Sequence, residues 1–397
     1  MKSFFGFRRF ISILIFLLLL SCFGCLTKSQ KDLYFVKLDG GWSHSLGLTQ
    51  KGEVYIWGNM YARTDIDDYP RPTLVTFSDM PQYDYIVDIS AGEFQSYALS
   101  TNGTIYGWGL GTLGDNTDLD RYSPTPITID DLYATEKVIN VSTKYNKAAA
   151  ITNLGRLFVW GYFMQSGLFA EDLFKPVLVE IDDLENNELI TDVSFGETHI
   201  IALTSLGRVF TWGKNESGQL GNGNYTDNFE PTEVTFPGIS DGERIEYIAS
   251  GWSHNLAATR NRIYVWGYNQ YYQLGDGTKK NRNEPIELIL GEDIGEENIE
   301  GIACGGDSSA AIWNNRVYTW GHYDSDYLDR NVFLFSTVPF ETILPDSSNP
   351  NYIALGSNFV LVSTDSSSAK GYAWGGNAYY QLGDGTTKTR KKPVRIF

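Results

Sequence analysis

A chain of 397 residues with a formal net charge of −17 is poorly suited to nucleic acid, because binding to phosphates needs a basic surface. Its 40 glycines and its aromatic content of 14% favour β-structure with many tight turns. Three cysteines, two of which stand in the N-terminal segment, exclude a disulfide framework.

Residues 1–21 have the pattern of a secretory signal peptide of the lipoprotein type. A basic start precedes a mostly apolar run over 10–20, and the small residue Ser21 stands directly before Cys22. This arrangement resembles the signal of a bacterial lipoprotein, in which the cysteine is acylated and becomes the mature N-terminus. We therefore expect lipidation at Cys22 and a short linker over 22–32.

Ordinary secretion and an uncleaved anchor are the alternatives to a lipoprotein. The anchor would use residues 11–27, which are 17 uncharged residues at the lower limit of a membrane span. In all three cases we expect the bulk of the chain at the cell envelope or outside the cell, and not in the cytoplasm.

The pair Trp-Gly recurs along the rest of the chain at intervals of 51 to 54 residues. Regular recurrence of this kind is typical of a repeat architecture rather than of separate domains. The seven repeat tryptophans are Trp57, Trp108, Trp160, Trp212, Trp266, Trp320 and Trp374.

Each repeat contains four short apolar runs separated by turns, which predicts four β-strands. In the fourth repeat the runs cover 193–195, 200–203, 209–212 and 231–236. One four-stranded sheet cannot bury both of its faces, whereas sheets stacked in a ring cover one another. The sequence therefore predicts an all-β fold, a seven-bladed β-propeller of four-stranded blades over residues 33–397.

Residues 207–223 read Gly-Arg-Val-Phe-Thr-Trp-Gly-Lys-Asn-Glu-Ser-Gly-Gln-Leu-Gly-Asn-Gly, and they resemble the repeat of the regulator of chromosome condensation family. The resemblance extends over 33–397, and it is strongest where Gln-Leu-Gly follows the tryptophan, as at 219–221. It implies a seven-bladed propeller. It does not imply one function, because such repeats occur in exchange factors, ubiquitin ligases and secreted inhibitors.

The eight residues Tyr-Tyr-Gln-Leu-Gly-Asp-Gly-Thr occur twice, at 271–278 and at 379–386. Both copies follow a Trp-Gly pair, so they occupy the loop between the third and fourth strands of their blades. The glycines suit turns, and the aspartates Asp276 and Asp384 are expected to accept backbone N–H bonds. We interpret the Gln-Leu-Gly-Asp-Gly part of the loop as structural.

Aromatic residues are frequent in two sets of loops that should share one face of the ring. Strands alternate in direction, so the turns between first and second strands open on the same side as the loops between third and fourth strands. Tyrosine and tryptophan are favoured in binding hot spots, although packing over the blade tops would explain the same residues. The candidates for partner binding are Trp42, Trp252, Tyr271, Tyr272, Tyr379 and Tyr380, accompanied by Tyr61, Phe94, Tyr145 and Tyr225.

Recognisable motifs for catalysis or for binding a metal or cofactor are missing from the sequence. His44, His199 and His254 share one repeat position, but blades 1 and 4 lie on opposite sides of a ring. We therefore expect each histidine to bond its own turn rather than to join a three-histidine metal site. Neither a nucleophile elbow nor a phosphate-binding loop occurs. The best calcium candidate, 115–120, lacks the spacing of a known loop, and we expect no catalytic residue, metal or cofactor.

The first functional hypothesis is a monomeric, non-catalytic scaffold that binds an unidentified partner protein through the aromatic face. The family's secreted β-lactamase-inhibiting propellers are a precedent for such a role. The alternative is an enzyme with a site in the central cavity, whose sign would be acid and base residues that converge at matching blade positions. We find no such set in the sequence. A guanine-nucleotide exchange factor is disfavoured, because the even spacing leaves no room for the inserted wedge that the family's namesake uses.

Overall fold

The structure is a computed structural model that describes residues 33–60, 68–164, 167–240, 242–289, 298–322, 335–345, 348–365 and 370–396. These residues form a ring of seven four-stranded antiparallel sheets, which confirms the predicted all-β seven-bladed propeller. The predicted signal peptide over 1–21, Cys22 and the predicted linker over 22–32 lie outside the described residues. Within the part of the chain that the structure describes, no helix is both long and apolar enough to cross a membrane.

Blades 1 to 7 and strands β1 to β28 are numbered in chain order. Within each blade, the first of the four strands lies nearest the axis and the fourth lies outermost. The first strands line the axis: β1 (Phe35–Gly40), β5 (Ile86–Ala91), β9 (Val138–Lys144), β13 (Ile190–Phe195), β17 (Tyr247–Ser250), β21 (Ile299–Cys304) and β25 (Pro350–Leu355). The second strands are β2 (His44–Thr49), β6 (Gln95–Ser100), β10 (Lys147–Thr152), β14 (His199–Thr204), β18 (His254–Ala258), β22 (Ser308–Trp313) and β26 (Phe359–Thr364).

The third and fourth strands complete each blade towards the outside. The third strands are β3 (Val54–Gly58), β7 (Ile105–Gly109), β11 (Leu157–Gly161), β15 (Val209–Gly213), β19 (Ile263–Gly267), β23 (Arg316–His322) and β27 (Gly371–Gly375). The fourth strands are β4 (Tyr69–Leu74), β8 (Arg121–Ile127), β12 (Leu173–Val179), β16 (Asn228–Glu233), β20 (Arg282–Leu288), β24 (Phe335–Thr342) and β28 (Arg390–Arg395).

Burial follows the position of a strand in its blade. Every residue of a second strand is buried, as in β2 and β10, because the neighbouring sheets cover both faces of it. The fourth strands are largely exposed, and each contains proline, which cannot donate to a further ladder and so blunts the open edge. These prolines include Pro72, Pro124, Pro176, Pro231, Pro285, Pro339 and Pro393.

The Gln-Leu-Gly loop of one blade holds the tryptophan of the next. The indole N–H donates to the glutamine carbonyl in three pairs: Trp57 to Gln381 (2.9 Å), Trp266 to Gln219 (3.0 Å) and Trp320 to Gln273 (2.9 Å). The glycine two residues further on has positive φ, and at Gly275 a Cβ would lie 2.7 Å from the ring of Trp320. Close approach and a left-handed backbone both demand glycine there.

The aspartate of the repeated loop fixes the loop's shape. Asp276 accepts the backbone N–H and the hydroxyl of Thr278 at 2.9 and 2.8 Å, and Asp384 accepts the same two bonds from Thr386. The expectation that these carboxylates accept backbone N–H bonds is therefore confirmed.

The ring closes without exchange of a strand, because each sheet uses consecutive strands only. Blades 7 and 1 meet through a buried apolar cluster that contains Phe35 from β1, Trp57 from β3, Phe359 and Leu361 from β26, and Ile396 just after β28. The two ends of the ring are therefore neighbours, joined by apolar packing and by hydrogen bonds between the two blades, such as that from Trp57 to Gln381.

Candidate functional site

The turns between first and second strands meet around the axis at one end of the propeller. We call this end, together with the loops between third and fourth strands, the turn face. The N–H of one turn donates to a carbonyl of the next: Trp42 to Glu93 (3.4 Å), Glu93 to Tyr145 (2.6 Å), Glu197 to Trp252 (3.0 Å), Trp252 to Gly306 (3.0 Å), Gly306 to Ser357 (3.1 Å) and Ser357 to Gly41 (3.0 Å). Between blades 3 and 4 the carbonyl of Glu197 accepts from the Lys147 ammonium instead, at 2.6 Å.

Two of the candidate aromatic residues meet across the axis. The rings of Trp42 in blade 1 and Trp252 in blade 5 lie 6.3 Å apart between centroids, with 41° between their planes. Both side chains are half-buried. The backbone ring of hydrogen bonds holds both turns, so this pair is a preorganised aromatic surface at the centre of the turn face.

The four tyrosines of the repeated loops also lie on the turn face, but further from the axis. Tyr271 and Tyr379 are exposed by 47% and 39%, while Tyr272 and Tyr380 are half-buried and adopt positive φ. The ring of Tyr271 stacks on His322 at 5.6 Å, so it packs over the neighbouring blade. Blade 6 separates the two loops, and the structure does not gather the six candidates into one cluster. Tyr61 lies outside the described residues.

Three carboxylates lie on the corresponding turns of blades 2, 4 and 6, beside the turns that carry the tryptophan pair. Glu93 accepts from the Asn146 amide at 2.5 Å, and Asp307 accepts from the Gln273 amide at 2.8 Å, while Glu197 is exposed. Burial, and secondarily the charge of Glu197, raises the pKa of Glu93 and raises that of Asp307 to about 6. Like charges gathered in this way favour a positive ligand. The sequence analysis missed this group, although each member stands within two residues after a turn glycine.

The histidines bond the next blade and not their own turn, so that expectation is wrong. His44 reaches Ser96 at 2.9 Å, His199 reaches Asn255 at 2.8 Å and His254 reaches Ser309 at 2.9 Å. The reason is that the ring packs flat against the turn glycine and points its Nε2 atom outwards to the neighbouring sheet. Burial lowers the pKa of His44 and His254 to about 3 and that of His199 to about 4.

Charged side chains do converge at matching blade positions inside the channel, contrary to the sequence analysis. The third residues of the first strands, counted in register, are Lys37, Asp88, Asn140, Asp192, Tyr247, Gly301 and Tyr352. Lys37 forms an ion pair with Asp88, and its ammonium lies 5.8 Å from the ring centre of Tyr352. The signal in the sequence was a charged residue directly before a buried apolar one in β1, β5 and β13.

The carboxylates of the calcium candidate, 115–120, accept hydrogen bonds and an ion pair from donors within the protein. Asp115 accepts from the N–H of Thr117 at 3.1 Å and pairs with Arg121 at 2.5 Å, while Asp120 accepts from the N–H of Gly111 at 3.0 Å. Across the described ranges, no three side chains of His, Cys, Asp or Glu are placed so that they could hold a metal ion.

The amino-acid sequence matches family profiles and known proteins that have the same repeat. The profile of the RCC1-like domain matches residues 61–397, and the profile of the regulator of chromosome condensation (RCC1) repeat matches residues 35–62. The ultraviolet-B receptor UVR8 of Arabidopsis thaliana is 31% identical over 66% of this chain and 59% of the receptor. The secretion-regulating guanine nucleotide exchange factor of Mus musculus is 28% identical over 61% of this chain and 57% of that protein. The match thus spans less than two thirds of each relative.

Solved structures share the fold at lower identity. Prp20p from Saccharomyces cerevisiae superimposes with a TM-score of 0.70 at 21% identity, covering 88% of this chain and 87% of Prp20p. Human WBSCR16 gives a TM-score of 0.69 at 19% identity, covering 87% and 94%. At these identities the likeness concerns the propeller architecture.

Proposed function

The chain belongs to the RCC1-like domain family, and from this premise we propose that it binds a partner protein through the turn face, at the cell envelope or outside the cell, without catalysis of its own. The family is one of binding and regulatory propellers that also includes exchange factors. The observation that carries the proposal is the preorganised pair of Trp42 and Trp252 at the centre of the turn face.

The chemistry of this centre favours a partner segment that carries lysine or arginine. Cations bind over the faces of tryptophan rings, and Glu93, Glu197 and Asp307 add negative charge around the pair. The nearby cation, Lys147, already donates to the carbonyl of Glu197. A positive side chain from a partner would balance the remaining charge, and the exposed tyrosines Tyr271 and Tyr379 would contact the segment on either side.

Photocrosslinking from matched positions on the two faces of blade 4 tests the proposal. Tyr225, on the turn face, is 51% exposed, and Leu206, in the hairpin on the opposite face, is 50% exposed. With a benzoylphenylalanine at either position in producing cells, we expect an adduct from position 225 only, joined to a peptide that contains lysine or arginine. Exchange of Glu93, Glu197 and Asp307 for their amides should abolish it. An adduct from position 206 alone, or one that the amide variant leaves unchanged, would contradict the proposal.

Replacement of Tyr271, Tyr272, Tyr379 and Tyr380 by serine provides a second test. We expect the variant to fold and to lose the adduct. Failure to fold would show that these rings serve packing instead.

The location is tested by fatty-acid labelling and membrane fractionation of the native chain and of Cys22→Ala. We propose lipidation at Cys22, so label should disappear in the variant while the propeller still folds. Label that persists, or an unlabelled product in the cytoplasm, would contradict this part of the proposal.

A further inference from the structure

The channel on the propeller axis has two chemically different walls. It encloses a volume of about 180 Å³, which is the space of about six waters at ~30 Å³ each. Blades 1 to 4 contribute polar side chains to its wall, among them Lys37, Asp39, Asn140 and Asp192. Blades 5 to 7 contribute Ala249, Ala303, Ala354 and the ring of Tyr352. One wall is therefore polar and the other mainly apolar.

A lysine closes the channel towards the turn face. In six blades the residue directly after the first strand is glycine. In blade 3 the equivalent position, three residues before the second strand begins, holds Lys144. The six glycines are Gly41, Gly92, Gly196, Gly251, Gly305 and Gly356. The Lys144 ammonium crosses the axis and donates to the carbonyl of Ser250 at 2.6 Å and to the carbonyl of Cys304. At the other end the side chains of Lys37 and Asp88 keep 25% and 16% of their exposure, so solvent reaches the channel from there. The channel is a blind pocket.

Most of the charged groups in this pocket are committed to partners within the protein. Lys37 pairs with Asp88, and Lys144 bonds two carbonyls. Asp39 accepts from the N–H groups of Gly40 and Ala91, both at 2.9 Å, and from the Ser90 hydroxyl at 3.1 Å. With two lysines and three aspartates ionised, the pocket holds one negative charge more than positive charges.

Two neighbouring side chains have unused acceptors. Among the described residues, Asp192 accepts one hydrogen bond, from the N–H of Val193 at 2.8 Å. The carboxamide oxygen of Asn140 has no hydrogen-bond partner in the same part of the chain, but it is shielded from solvent and so from a ligand in the pocket. Since these residues hold the same position in adjacent blades, their side chains lie next to each other on the polar wall. Burial raises the pKa of Asp192 to about 6, because the N–H of Val193 and the charge of Lys37 offset the loss of hydration only in part.

We propose that this pocket binds a small organic ammonium ion, with the ammonium group on the carboxylate of Asp192 and the carbon chain along the alanine wall. The ammonium would supply a donor to Asp192 and the missing positive charge, since an ionised acceptor forms the stronger class of hydrogen bond. An anion is disfavoured, because neither lysine is free of protein partners. The inference does not depend on the partner proposed for the turn face, since Lys144 separates the two sites.

Saturation-transfer NMR of the full chain with n-butylammonium chloride at pH 8 tests the proposal. We expect transfer to the butyl protons in the native protein and at least tenfold weaker binding in Asp192→Asn, which keeps the shape and removes the charge. The control is Asp183→Asn, at an exposed position in the connection that leads into the same blade, which should bind like the native protein.

Neutral n-butanol should bind far more weakly than the ammonium ion. Equal binding of the ammonium ion to the native protein and to Asp192→Asn, or equal binding of butanol and butylammonium, would overturn the proposal. Loss of binding in the control variant would do the same, because it would place the ion on the acidic surface. The turn-face crosslink should persist in Asp192→Asn, so either proposal can fail without the other.

Discussion

Blades 3 and 4 are adjacent and have tryptophans 52 residues apart, yet their inner turns are built differently. In blade 4 Gly196 lies flat against the ring of His199, and a Cβ on it would stand 2.0 Å from that ring. In blade 3 the same two positions hold Lys144 and Lys147. In blade 4 the turn glycine is required by the ring of the histidine three residues later. In blade 3, where a flexible lysine stands in place of that histidine, a side chain fits at the glycine position.

The comparison also shows how a repeat tolerates an irregular member. Tyr145 adopts φ 53°, and the link from its turn to the next is made by the Lys147 ammonium rather than by a backbone N–H. Lys144 uses the space at the axis to bond blades 5 and 6. Blade 3 thus replaces backbone hydrogen bonds by charged ones, and it closes the channel in the same step.

The largest effect is expected when a side chain is added to the regular turn. Gly196→Ala should lower the free energy of unfolding by about 3 kcal/mol, because the methyl group overlaps the His199 ring and the packed core cannot yield. Denaturant unfolding measures the change. The double variant Gly196→Ala/His199→Lys, which like blade 3 has a side chain at the glycine position and lysine three residues later, should recover part of the loss. A single variant as stable as the native protein would break the comparison.

Removal of the charged link in blade 3 should cost less. Lys144→Met keeps the length of the side chain but loses the bonds to the carbonyls of Ser250 and Cys304, for an expected loss of about 2 kcal/mol. The matched control is Lys175→Met, whose lysine makes an exposed ion pair with Asp130 at 3.6 Å and should contribute almost nothing. Equal midpoints of thermal unfolding for the two variants would show that Lys144 does not join the blades.

The smallest effect is expected on the pH dependence of stability. The pKa of His199 is lowered by burial to about 4, so below the ordinary value of 6.5 the unfolded chain binds a proton that the folded chain does not. Stability from this residue is therefore lost as the pH falls from 6.5 towards 4. Burial raises the pKa values of Asp192 and Asp307 to about 6, so these two residues add stability as the pH falls. Their contribution is the same in the native protein and in a variant at His199, and it cancels when the two are compared.

Blade 2 supplies the substitution that isolates the histidine, since Gln95 holds the same position there. Between pH 7.5 and 5.5, His199→Gln should lose about 1 kcal/mol less stability than the native protein does. Urea unfolding at the two pH values gives the difference. Identical losses would mean that His199 is protonated in the folded protein.

The fold could be predicted because its determinants are local and repeated. The Trp-Gly interval gives the number of blades, and the glycines of the repeated loop mark turns that only they can adopt. The partners of the repeat tryptophans could not be predicted. The hydrogen bond from the indole of Trp57 to the carbonyl of Gln381, for example, joins residues at opposite ends of the chain. Such pairs become neighbours only when the ring closes.

The candidate site could be predicted in part for the same reason. Alternation of strand direction places Trp42 and Trp252 on one face, but their contact depends on the width of the ring. Lys37, Asp88 and Asp192 were missed because a polar residue within a strand usually faces open solvent. In a closed ring the exposed side of the first strand faces the axis, so an ordinary alternation pattern produces an enclosed charged pocket.

Closure of the ring without exchange of a strand makes the order of the blades independent of where the chain starts. Phe35 and Ile396 lie in one cluster, and every blade is made from consecutive strands. A circular permutant that joins these two ends through a short linker and opens the chain between two other blades would preserve all seven sheets. The propeller can therefore present a new pair of termini at any connection between blades, which makes it a scaffold for inserting or fusing other domains around its rim.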